Sequence, residues 1–107
     1  MQQTFDALVE PRRRDILALI REAELPAGRI AEAFPDVSRP AVSQHLKVLR
    51  EAGLISERRE GTRRLYRLDP AGFASVRSYL DSFWDERLEL LKTAAEHEER
   101  TTRGRNN

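Results

Sequence analysis

The run Val37-Ser38-Arg39-Pro40-Ala41-Val42-Ser43-Gln44-His45-Leu46-Lys47-Val48-Leu49, followed by Ala52-Gly53, constrains this chain more than any other stretch. Its spacing predicts one short helix. Ser38 is a natural N-cap, because its hydroxyl can accept from an otherwise unpaired amide in the first turn. Pro40 falls in that turn, where its missing N–H costs little. Val42, Leu46 and Leu49 recur at i, i+4 and i+7 and form the buried stripe. Ser43, Gln44 and Lys47 point the other way, with Arg39 at the helix start. These are side chains that can read base edges, Gln suiting adenine, Arg or Lys guanine, and Ser either. An ordinary surface helix with its polar residues in water fits the same pattern, so the flanking segments must decide.

Upstream, Pro26 and Gly28 mark a break, Arg29 to Phe34 reads as about two helical turns, and Pro35-Asp36 makes a tight turn into Ser38. A short helix, a turn and a second helix with a polar outer face make a helix-turn-helix, whose second helix enters the major groove. Downstream, Gly53 is the expected left-handed cap. Leu54 to Arg59 and Arg63 to Leu68 then read as two strands around Glu60-Gly61-Thr62, a β-hairpin. Ile55, Tyr66 and Leu68 can face a core. The tip gathers Arg58, Arg59, Arg63 and Arg64, which repel one another unless something anionic lies beside them. A DNA-contacting wing is the favoured reading, its contacts going to phosphate; an edge strand protected by charge is the bland one. Ser38 and His45 join the wing arginines as candidate backbone contacts.

Toward the N-terminus, Thr4 to Val9 reads as a short helix with Phe5, Leu8 and Val9 apolar, too short to stand alone. Pro11 opens a second helix whose buried face is Ile16, Leu17, Leu19 and Ile20. Arg12, Arg13 and Arg14 near its start read as a solvated face, with a phosphate contact as the alternative. Asp69-Pro70 closes the hairpin, and a long helix follows to roughly Ala95. Its stripe of Leu80, Trp84, Leu88, Leu91 and Ala95 is wider than one small domain needs to cover. The expected use is a two-fold interface made with Phe5 and Leu8 of the first helix; intramolecular core is the alternative. The expected fold class is mainly α with a small β-hairpin, a winged helix-turn-helix pairing through its N- and C-terminal helices. Residues 1–97 form one domain in this reading, and 98–107 a disordered polar tail whose arginines are available to phosphate.

Net charge over 107 residues is only +1, but its distribution is polarised. Val37 to Leu68 holds eight bases against three acids, whereas Asp69 to Glu99 holds three bases against eight acids. The basic half can neutralise phosphates while the acidic half is kept from them. The absence of cysteine excludes disulfides and thiolate metal sites and fits a reducing cytoplasm. No run is apolar and long enough to suggest secretion or a membrane span. Without a nucleophile–base pair, a phosphate-cradling glycine loop or a metal cluster, the pattern does not point to an enzyme.

In this order of elements the chain resembles the ArsR/SmtB family of winged helix-turn-helix regulators. The resemblance rests on Ser38 to Ile55, on the hairpin Gly61 to Leu68, and on Phe5-Asp6-Ala7-Leu8 and Pro11 to Leu17, covering about residues 4 to 95. It implies a homodimer on double-stranded DNA, binding a two-fold-symmetric operator as a repressor. It also exposes a departure. The helix before the turn, where metal-sensing members carry a Cys-x-Cys run, has Leu25-Pro26-Ala27-Gly28-Arg29, and the last helix has carboxylates but a single histidine, His97, near its end. No metal or other cofactor is therefore expected, and a protein or small molecule becomes the expected inducer. A protein-interaction module working through the Trp84 helix remains the competing reading.

Overall fold

The computed structural model describes the backbone of residues 1–106 and the side chains of residues 1–84 and 88–99. The elements run α1 (Gln2–Val9), α2 (Pro11–Ile20), β1 (Leu25–Pro26), α3 (Ala27–Ala33), α4 (Arg39–Glu51), β2 (Ile55–Glu60), β3 (Arg63–Leu68) and α5 (Pro70–Asn106). They divide into two units, Met1–Val76 and Arg77–Asn107.

In the first unit the helices lay their apolar stripes on one face of a small antiparallel sheet. Ile16, Leu17 and Ile20 of α2, Ile30 of α3, and Val42, Leu46 and Leu49 of α4 meet Leu54, Ile55, Tyr66 and Val76 in one buried cluster. These are the stripes that the helical spacing predicts. Phe5 and Leu8, expected at a two-fold interface, are half-buried and pack against this core; Val9 is the apolar residue that α1 leaves outside, at 71% exposure.

The sheet has three strands in the order β1-β3-β2, not the two of a lone hairpin. Leu25 pairs with Tyr66 and Pro26 with Leu65. The sequence shows only a Pro-Gly break here, because two residues become a strand solely through pairing with the other edge of β3. Proline is tolerated on such an outer strand, where no partner needs its amide. The β2–β3 register runs from Ile55 opposite Leu68 to Glu60 opposite Arg63. That leaves Gly61-Thr62 as the loop, with Gly61 at φ +64, as a primed hairpin turn requires.

The second unit is the remainder of α5. Tyr79, Leu80, Phe83, Trp84, Leu88, Leu90 and Leu91 are all exposed along it. Tyr79 and Phe83 meet edge-to-face at 5.0 Å between ring centroids. The helix continues to Asn106, whereas the sequence pattern ends it near Ala95 and predicts an unstructured tail. Glu96 to Thr102 holds no proline or glycine to stop it, and Glu and Arg are good helix formers. The side chains of Arg103 and Arg105 lie outside the described residues.

Candidate nucleic-acid interface

Helix α4 is built as its sequence dictates. Ser38 sits in extended backbone, and its hydroxyl accepts from the Ala41 amide at 3.2 Å. Arg39 and Pro40 form the first turn. With Val42, Leu46 and Leu49 buried, Arg39, Ser43, Gln44 and Lys47 are all exposed on the opposite side. Gly53, at φ +78, lets the chain leave the helix through a left-handed residue. Its amide donates to the Arg50 carbonyl at 3.0 Å.

Four of the predicted DNA-facing side chains come from the wing, and the register sorts them onto two faces. Cross-strand partners share a face and successive residues alternate. Arg59 and Arg64 therefore accompany Glu57 and Tyr66, while Arg58 and Arg63 accompany Ser56 and Arg67. The first of these faces adjoins α4. A cavity of about 210 Å³ between them is lined by Ser43, Lys47 and Arg50 of α4, by Arg64 and Tyr66 of β3, and by Ala27. Here part of the polar stripe of the helix and a cation of the wing come together. Gln44 is absent from this lining and lies further round α4.

Glu57 ties this region together, and nothing in its local sequence announces that. Its carboxylate pairs with Arg50, accepts from the Tyr66 hydroxyl at 3.3 Å and stands 3.7 Å from Arg64 Nε. Burial pushes the Tyr66 hydroxyl up from its ordinary pKa, and the Glu57 charge adds to the shift. The signal that could have found Glu57 is the strand register, which sets it opposite Tyr66. Arg50, its partner from α4, carries no comparable signal in the sequence.

The other wing face is held differently. Arg58 donates to both oxygens of Glu24 at 2.6 to 2.9 Å and to Glu60 at 3.1 Å. That hydrogen bonding holds the Glu24 carboxyl below its usual pKa and raises the guanidinium, with the mutual charge contributing. Arg39, Lys47, Arg59 and Arg63, by contrast, make no ion pair among the described residues.

His45 is half-buried, with Nδ1 3.4 Å from an Arg13 nitrogen. An arginine only donates, so this contact uses the tautomer with the proton on Nε2. Arg13 also donates to the carbonyls of Ala7 at 2.8 Å and Asp6 at 3.2 Å, and Arg14 donates to those of Leu8 and Val9 at 2.7 and 2.9 Å. Arg12 pairs with Asp36 and lies over the Phe34 ring at 5.6 Å. The three arginines are therefore not a merely solvated face. Two of them satisfy the orphan carbonyls at the end of α1, and their charge suits the negative end of that helix. Among the described residues no three His, Cys, Asp or Glu side chains gather closely enough to hold a metal ion. No described helix is long and apolar enough to cross a membrane.

Comparison with known proteins agrees with this fold. The model of a helix-turn-helix domain family matches residues 8–58. The chain is 48% identical over 86 residues to the HTH-type transcriptional regulator Rv2034 of Mycobacterium tuberculosis, covering 80% of this chain and 79% of the relative. It is 43% identical over 61 residues to the transcriptional repressor SdpR of Bacillus subtilis, covering 57% and 67%. A homodimeric winged helix-turn-helix DNA-binding domain from Mycobacterium bovis superposes with a TM-score of 0.63 at 32% identity, over 81% of this chain and 80% of that one. On the strength of its fold, its recognition-helix motif and these relatives, the chain belongs to the ArsR/SmtB family of winged helix-turn-helix transcriptional regulators.

Proposed function

We propose that this protein is a cytoplasmic, homodimeric repressor that binds a two-fold-symmetric DNA operator. The observation that carries this is the shared cavity between α4 and β3, where Ser43 and Lys47 of the helix face Arg64 of the wing. In this reading α4 lies in the major groove. Arg39, Ser43, Gln44 and Lys47 reach base edges, while Ser38, His45, Arg59, Arg63 and Arg64 hold phosphates. Two recognition helices of a dimer then meet the duplex about 34 Å apart, one turn of DNA.

The exposed stripe of Leu80, Trp84, Leu88 and Leu91 supplies the pairing surface. Seven large apolar residues exposed along one helix are more than a lone chain in water tolerates comfortably. The same stripe is what a protein-interaction module would use. The inducer is a protein or small molecule, in keeping with a chain that has no cysteine and only two histidines. Footprinting on the DNA upstream of the protein's own gene tests the proposal. A protected palindrome is expected, and no protection at low salt favours the interaction module.

A further inference from the structure

We propose that Arg58 is a positioning residue, which clamps the wing to the α2–β1 loop through Glu24 and so sets the angle at which Arg59, Arg63 and Arg64 meet DNA. This rests on the DNA-binding reading above and deepens it, because sequence alone counts Arg58 as a fourth phosphate contact.

The geometry separates Arg58 from its neighbours. Its guanidinium is engaged three times by Glu24, through Nε to both oxygens and Nη2 to one, a fork-on-fork arrangement. Glu60 takes a further bond from Nη2, at 3.1 Å. The two carboxylates already neutralise the one cation, leaving little charge to offer a phosphate. Arg58 shares the Ser56, Arg63 and Arg67 face of the hairpin, and of the two tip arginines on that face it is the one that carboxylates hold. Glu24 comes from the loop immediately before β1, thirty-four residues away. The bond therefore ties β2, the strand farthest from β1 in the sheet, back to the segment that enters the sheet at its opposite edge. A hairpin projecting into solvent swings about its base unless something holds it, and an exposed pair contributes little stability yet can fix a direction.

The clamp makes a prediction opposite in sign to simple charge counting. Removing an acidic residue from a DNA-binding protein should strengthen binding, whereas Glu24→Gln is expected to weaken it about two- to fivefold, the range an exposed pair supports. Arg58→Ala is expected to weaken binding by a similar factor.

Binding of the full chain is measured across a salt series on two duplexes, one of arbitrary sequence and one from upstream of its own gene. Arg64→Ala should lower the slope of log affinity against log salt by about one, while Arg58→Ala and Glu24→Gln leave it unchanged. The double swap Glu24→Arg with Arg58→Glu should recover most of the affinity. All these side chains lie outside the core cluster, so the variants are expected to fold. Tighter binding by Glu24→Gln, a slope lowered by Arg58→Ala, or a swap weaker than either single variant overturns the clamp alone. No binding by the wild type on either duplex overturns the DNA-binding reading and the clamp with it.

Discussion

Gly72, on the first turn of α5, packs directly against the carbonyl of Gly53, the residue that follows the C-cap of α4. A Cβ at position 72 would overlap the Gly53 carbonyl oxygen and lie 2.8 Å from its carbon. The obstacle is backbone, which cannot swing aside as a side-chain tip can. Gly53 itself needs its left-handed φ of +78. The start of α5 is thus seated on the exit of α4.

Gly72→Ala is expected to cost about 1–3 kcal/mol, the usual penalty of overpacking a closed contact. Gly28→Ala makes the control, since nothing lies within 4 Å of a Cβ there and it sits in a helix. That change should be neutral or stabilise by up to about 1 kcal/mol. Thermal unfolding of the two variants checks both signs.

Ser38 has two candidate duties, capping α4 and touching phosphate, and two substitutions separate them. Ser38→Ala removes the acceptor for the Ala41 amide and should cost about 1 kcal/mol. Ser38→Asp keeps an acceptor at the cap and should leave stability near that of the wild type. It also sets a carboxylate beside DNA, so affinity should fall about tenfold or more while the unfolding midpoint holds. An Asp variant that binds as well as wild type removes Ser38 from the interface.

Gln44 and Arg64 should fail in different ways. Gln44→Ala is expected to cost about 1–3 kcal/mol on the operator and little on random duplex, narrowing the ratio between them. Arg64→Ala should weaken both alike if it holds phosphate, because a phosphate contact carries no sequence information. Equal losses on both duplexes for Gln44→Ala would move it out of the base-reading set.

Pairing through α5 can be tested without touching the first unit. Trp84→Asp places a charge in the middle of the exposed apolar stripe. Sedimentation should show a monomer where the wild type shows a dimer. Operator affinity should drop by about a hundredfold or more, because two half-sites no longer bind as one. Unchanged sedimentation sends the pairing surface elsewhere.

The local elements are legible in the amino-acid sequence. Ser38, Pro40 and the Val42-Leu46-Leu49 stripe predict α4 within a residue of its observed start, and Gly53 and Gly61 mark the two places among the described residues where φ turns positive. Caps, helical spacing and turn glycines act over three or four residues, so a single chain displays them openly. Candidate contacts follow from residue type and exposure, and exposure follows from which stripe is apolar.

What folding alone decided is which charge meets which. Arg58 and Arg64 look interchangeable along the chain, yet one is bound to Glu24 and the other stands by Glu57 beside α4. Arg13 and Arg14 look like loose surface cations and instead close the end of α1. Leu25-Pro26 is a strand only because β3 lies beside it. An ion pair falls off with distance through space, and separation along the sequence carries almost no information about that distance until the chain is packed.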